Sequence, residues 1–86
     1  MEEKQVGKVN HYFGKVSVGM IDLTDTLKVG DTIHVKGAHV DFTQKVESMQ
    51  IDRKDSEVGE AGQEIGIKIS EKVHENDIVY KVIEEA

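Results

Sequence analysis

The sequence contains no cysteine, no proline and no tryptophan, and its aromatic side chains are limited to two tyrosines and two phenylalanines. Without cysteine, neither disulfides nor thiolate chemistry is available, so the core must hold by packing alone. The missing tryptophan removes the best anchor of an aromatic cage, and the missing proline excludes any Pro-rich linker. No apolar run approaches the ~20 residues that a bilayer-spanning helix needs. The opening Met1-Glu-Glu-Lys-Gln5 also lacks the hydrophobic segment of a secretion signal. A cytoplasmic chain with no membrane partner is the expectation.

Positive charge is scarce as well. Eleven Lys and Arg face seventeen Asp and Glu, for a formal net charge of −6. Residues 1–46 balance, with six lysines against six carboxylates, whereas residues 47–86 carry five basic and eleven acidic side chains. A broad nucleic-acid surface shows the opposite sign, because neutralising phosphates needs clustered Lys or Arg. Any RNA contact must therefore be local, and the acidic half is the better host for a basic protein partner. Eighty-six residues make one small domain. A chain of this size buries about 60% of its unfolded surface, which leaves little room for a deep catalytic cavity.

What is present is short, β-branched and punctuated by glycine. Six stretches of strand length follow one another: Val6 to Tyr12, Val16 to Leu23, Thr32 to Lys36, Phe42 to Ile51, Glu64 to Ser70 and Asp77 to Ile83. In the second, Val16, Val18 and Met20 alternate with Ser17 and Gly19, and then the phase slips to Ile21 and Leu23, which suggests a bulge near Met20. In the fifth, Ile65, Ile67 and Ile69 alternate with Gly66 and Lys68, as in a half-buried strand. Residues 52–63 read as a charged loop. No segment carries a useful helical stripe. Short strands between turn signals predict an all-β barrel or sandwich, and a closed barrel would remove exposed edges.

Chemistry is sparse. Gly7 and Gly14-Lys15 resemble the ends of a phosphate loop, but six residues separate the glycines where four are required, and Val16 stands where Ser or Thr must reach magnesium. Nucleotide is therefore not an expected partner. His11, His34, His39 and His74 form no His-x-x-x-His pair, so no zinc site is expected. His34 and His39 flank a turn and read as solvated surface residues. Asp52, Asp55, Glu57 and Glu60 do not follow the spacing of a calcium loop and read as a solubilising stretch. The sequence predicts no catalytic residue, no metal and no cofactor.

Two neighbourhoods suggest binding. In His11-Tyr12-Phe13-Gly14-Lys15, two aromatics and a cation at a turn can stack a base and hold a phosphate, or Tyr12 or Phe13 can simply plug the barrel end. Arg53-Lys54 forms a second basic spot. With Gln50 and Gln63 added, the candidate RNA-binding residues are His11, Tyr12, Phe13, Lys15, Gln50, Arg53, Lys54 and Gln63.

Five short motifs in order carry a resemblance: Val6-Gly-Lys-Val9, Leu27-Lys-Val-Gly-Asp31, Val46-Glu-Ser-Met49, Ala61-Gly-Gln-Glu-Ile-Gly66 and Asn76-Asp-Ile-Val79. Together they resemble the β-barrel that follows the GTPase domain in translational GTPases of the elongation factor Tu type, over roughly residues 4 to 83. That resemblance implies a closed six-stranded Greek-key barrel, with residues 1–86 as one domain. It also implies an elongation factor-like module in protein biosynthesis that contacts tRNA or the ribosome without catalysis. Gln50 and Gln63 fall where elongation factor Tu has glutamates near the terminal adenosine, and Ser70 falls in the region of an arginine. Amides can bind ribose hydroxyls, without the charge-assisted acceptance of a carboxylate. The alternative expectation is an accessory protein-interaction subunit that docks on a larger enzyme. Similar barrels occur appended to enzymes, including some collagenase-like peptidases and RNA-modifying relatives.

Overall fold

Side-chain alternation determines which face of each ribbon is buried. In the computed structural model, which describes residues 2–83, the chain forms β1 (Glu2–Phe13), β2 (Val18–Leu23), β3 (Leu27–Lys28), β4 (Thr32–Lys36) and β5 (Asp41–Lys45). It continues as β6 (Met49–Ile51), β7 (Lys54–Asp55), β8 (Val58–Gly59), β9 (Glu64–Lys68) and β10 (Ile78–Ile83). No helix forms among the described residues, and hence none long and apolar enough to cross a membrane. The expected all-β class holds.

Eight strands pair in one antiparallel sheet in the order β5-β4-β10-β1-β2-β9-β6-β7, while β3 and β8 make a separate two-stranded ribbon. Ile21 and Leu23 of β2, Ile33 and Val35 of β4, Ile65 and Ile67 of β9, and Val79 of β10 all point to the same side. They join Val6, Val9, Leu27, Val46, Met49, Ile69 and Val73 in one cluster with almost no exposure. A single cluster fed from so many strands requires a sheet that curls around it. Each fully buried aliphatic side chain contributes about 1.5–3 kcal/mol.

The expected closure and strand count need correction. The ladder is open, with β5 and β7 at its edges, and ten strands replace six. The predicted strand from Phe42 to Ile51 breaks at residues 46–48 because the backbone of Val46 is engaged elsewhere. Its N–H donates to Asp31 O and its carbonyl accepts from Gly30 N, each at 2.8 Å. Instead of a backbone ladder, the Gln44 side chain reaches from β5 past the end of β9. Its Nε2 donates to Lys68 O at 2.7 Å, and its Oε1 accepts from Ser70 N at 3.0 Å. The predicted charged loop also holds structure: Gln50 and Ile51 pair with Asp55 and Lys54, and Val58 and Gly59 pair with Lys28 and Leu27.

The phase slip has a different origin from the one its sequence suggests. β2 keeps strict alternation through Met20, and the register shifts lie in β1, between Gln5 and Gly7 and between Val9 and His11. Gly30 adopts φ +99°, and Asp31 closes that turn by accepting from Lys28 N at 2.8 Å.

Candidate functional site

The outer face of the sheet has a notch where a side chain is missing. Gly66 lies opposite Met20 on β2 and opposite Gln50 on β6, and Met20 in turn lies opposite His11 on β1. One row therefore runs His11–Met20–Gly66–Gln50–Asp55 across five strands. The next row holds Phe13, Val18 and Lys68. Ile65 and Ile67 point inward, so Gly66 belongs to the outside, and yet it is buried by its flanking neighbours. A Cβ at Gly66 would lie 3.2 Å from Met20 Sδ and 3.4 Å from Val18 Cγ1.

The result is a groove of about 680 Å³. Phe13, Val16, Val18, Met20 and Ile51 form its apolar part, and Phe13 and Val16 are 47% and 58% exposed. Gln50, Asp52, Arg53, Gln63 and Glu64 supply its polar part. Several of these polar groups are already engaged. Asn10 Nδ2 donates to Glu64, Gln50 Nε2 donates to Asp55 Oδ1 at 3.2 Å, and Gln63 Oε1 accepts from Glu60 N at 2.8 Å. His11 packs edge-on against Phe13 with ring centres 4.5 Å apart, and its Nδ1 lies 3.8 Å from Glu75 Oε1.

Arg53 stands out. Asp52 and Arg53 form the two-residue connection between β6 and β7, with φ of +52° and +66°. Positive φ at both positions is the geometry of a type I′ hairpin, where Asn-Gly is the favoured pair. Asp tolerates this left-handed region through its short polar side chain, whereas Arg gains no such local help. Among the described residues the Arg53 guanidinium takes part in no ion pair.

Of the eight candidates from the sequence, His11, Phe13, Gln50, Arg53 and Gln63 meet in this groove. Three do not. Tyr12 packs half-buried against the core, because neighbours on a strand point to opposite faces. Lys15 is exposed in the turn after β1, and Lys54 is exposed on β7 without lining the groove. Sequence reasoning missed Val16, Val18, Met20, Ile51 and Gly66. The available signal was an apolar pair, Val18 and Met20, out of phase with Ile21 and Leu23. Among the described residues no cluster of three or more His, Asp or Glu is placed to hold a metal.

No family model matches the chain. Among curated proteins it is similar to an uncharacterized protease of Methanocaldococcus jannaschii, with 40% identity over 77 residues, covering 88% of this chain and 19% of that protein. The chain thus spans about a fifth of the length of the relative it matches. Among solved structures it is similar to the C-terminal domain of a Geobacillus thermoleovorans protein described as a U32 peptidase, with a TM-score of 0.87 at 16% identity and 93% of each chain covered. The selenomethionine variant of that domain gives 0.85 at 15% identity, covering 88% of this chain and 96% of that one.

These likenesses overturn the expected kinship with translation-factor barrels. The elongation factor-like role and RNA binding in protein biosynthesis fall with it, and contact with tRNA or the ribosome has no support. The physical reason lies in the motifs themselves. Lys28-Val-Gly-Asp31 and Glu60-Ala-Gly-Gln63 are turn chemistry, in which Asp31 accepts from Lys28 N and Gln63 accepts from Glu60 N. Such side chains serve local backbone geometry and specify no ligand.

Proposed function

We propose that the chain is a non-catalytic accessory module that docks on a larger enzyme of the U32 peptidase type. The observation that carries this reading is the 40% identity spread over 88% of the chain but confined to about a fifth of a protease. A domain that forms one part of a longer enzyme in a relative has a natural partner in the remaining part. The solved domains of the same fold come from the C-terminal end of a protein described in those terms. The groove on the outer face provides a docking surface, since an exposed apolar patch with a polar rim is the usual anatomy of an interface.

The test is affinity capture with the tagged chain from its own cells after nuclease treatment, combined with a peptidase assay of the purified chain. A peptidase-type enzyme retained in stoichiometric amount, with no cleavage by the chain alone, supports the proposal. Retention of nucleic acid or ribosomal proteins alone, or peptide cleavage by the isolated chain, overturns it.

A further inference from the structure

The chemistry of the groove is more specific than its role, and the following rests on the docking reading. We infer that the groove receives a protein segment of the larger enzyme that seats an apolar side chain on Gly66 and places a carboxylate against Arg53. The apolar half of the inference comes from the notch. Val18 and Met20 wall it, Phe13 and Val16 extend it, and all four are apolar side chains on the solvent side of a strand or its turn. A side chain lowered onto Gly66 removes this surface from water without displacing any core residue.

The charged half comes from the turn. Arg53 occupies a backbone conformation that favours glycine, and nothing within the described fold rewards it there: no ion pair holds its guanidinium. Strain of this kind clusters at ligand clamps and functional sites. Asp52 and Glu64 line the same end and keep their charge, since the Asn10 amide that engages Glu64 is neutral, but neither lies within ion-pair distance of Arg53. Arg53 is the cation that remains, and a guanidinium presents a planar donor fork that matches a carboxylate in two-point geometry. Along the strand direction Arg53 lies two residues beyond Asp55 of the Gly66 row, ~7 Å at ~3.3 Å per residue, and its long side chain can cover the sideways step from the β6–β7 turn toward β9. The occupant therefore carries its apolar residue and its carboxylate at about that separation.

Titration of the full chain, labelled with nitrogen-15, uses capped glycine-based pentapeptides carrying leucine and glutamate two residues apart. Control peptides replace glutamate by lysine or glutamine, or leucine by serine. The expected result is amide shifts at Met20, Gly66, Gln50 and Arg53, with each control about tenfold weaker, the scale of one charge-assisted contact. Arg53→Gly is expected to remove the preference for glutamate while raising the melting temperature, because glycine suits the turn. Gly66→Val is expected to abolish binding of every peptide. Equal or tighter binding of the lysine peptide, or an unchanged glutamate preference in Arg53→Gly, overturns the inference. Capture of the larger enzyme separates the two readings. Equal retention by wild type and Arg53→Gly discards the carboxylate contact and keeps docking. No retention by wild type discards docking, while the titration still decides what the groove binds.

Discussion

At the scale of single residues, His34 shows how a polar side chain can fasten strands distant in sequence. Its Nδ1 lies 2.6 Å from Glu3 Oε2 on β1, and its Nε2 is hydrogen-bonded to Asp41 on β5. Both partners only accept, so only the doubly protonated ring can donate to both at once. The hydrogen bonds that His34 donates to Asp41 and then to Glu3 raise its pKa above the ordinary 6.5, against the opposing effect of burial. The same contact with His34 holds Asp41 below its ordinary 3.8. The Tyr80 ring, 6.4 Å away on β10, and Lys36 on the same hairpin complete the surroundings. A raised His pKa contributes stability that is full below the unfolded value and fades as pH climbs through the folded one. A lowered Asp pKa contributes stability that is full above its unfolded value and fades as pH drops through the folded one. The clasp is therefore strongest between 3.8 and 6.5. Melting temperatures measured across pH should fall on the alkaline side of that window, and His34→Gln should flatten that fall. A pH profile unchanged by the substitution would remove the clasp from the account.

A second residue-scale test concerns Asp77, which is only 6% exposed and accepts from His74 N at 2.8 Å. A Cβ on Gly37 would collide with that carboxylate. Gly37→Ala should displace Asp77, leave the His74 amide without its acceptor, and cost about 1–3 kcal/mol in urea unfolding. Neither arrangement can be read from the sequence, where His34 looks like a solvated residue beside a turn. Its partner Glu3 lies 31 positions away and reaches it only because β10 stands between β1 and β4.

At the scale of elements, alternation was the legible part. Ile65, Ile67 and Ile69 point into the core as their spacing implies, and β4 covers the predicted stretch Thr32 to Lys36. Alternation misleads where both faces of a strand are apolar. On β2 the inward residues are Gly19, Ile21 and Leu23, and the outward Val18 and Met20 form one wall of the groove. The side-chain closure by Gln44 was also invisible, since an amide substituting for a strand leaves no periodic trace. It makes a prediction of its own. Gln44→Ala should free the β5 edge from the end of β9 and lose the bond to Ser70 N. One net hydrogen bond contributes about 1 kcal/mol, so exchange of the Ser70 amide should accelerate roughly fivefold to tenfold while the β1–β2 amides keep their protection.

At the scale of the whole molecule, the sequence misdirects because a small all-β chain repeats the same turn chemistry whatever it binds. Leu27-Lys-Val-Gly-Asp31 and Ala61-Gly-Gln63 describe how the chain reverses, and a resemblance built on them transfers more readily than a ligand does. What a single sequence does convey is the division into an aliphatic interior and an outside with one apolar fault. β9 places the two side by side: Ile67 is 1% exposed in the core, and Gly66 lies across the backbone in the outer notch. Substitutions at these neighbours should therefore separate folding from docking. Ile67→Ala leaves a cavity and should cost about 2–5 kcal/mol. That is a large share of the ~5–15 kcal/mol that holds a domain together. In Gly66→Val the new Cβ asks that the flexible Met20 side chain give by a few tenths of an ångström, and a β-branched residue suits a strand better than glycine, so the urea midpoint should stay near that of wild type. If the notch is the docking surface, the pattern inverts when partner retention is measured: Gly66→Val loses the partner, while Ile67→Ala keeps it at temperatures where the fold persists. Loss of retention in both variants, in step with their stabilities, would mean that the partner recognises some other surface of the folded domain.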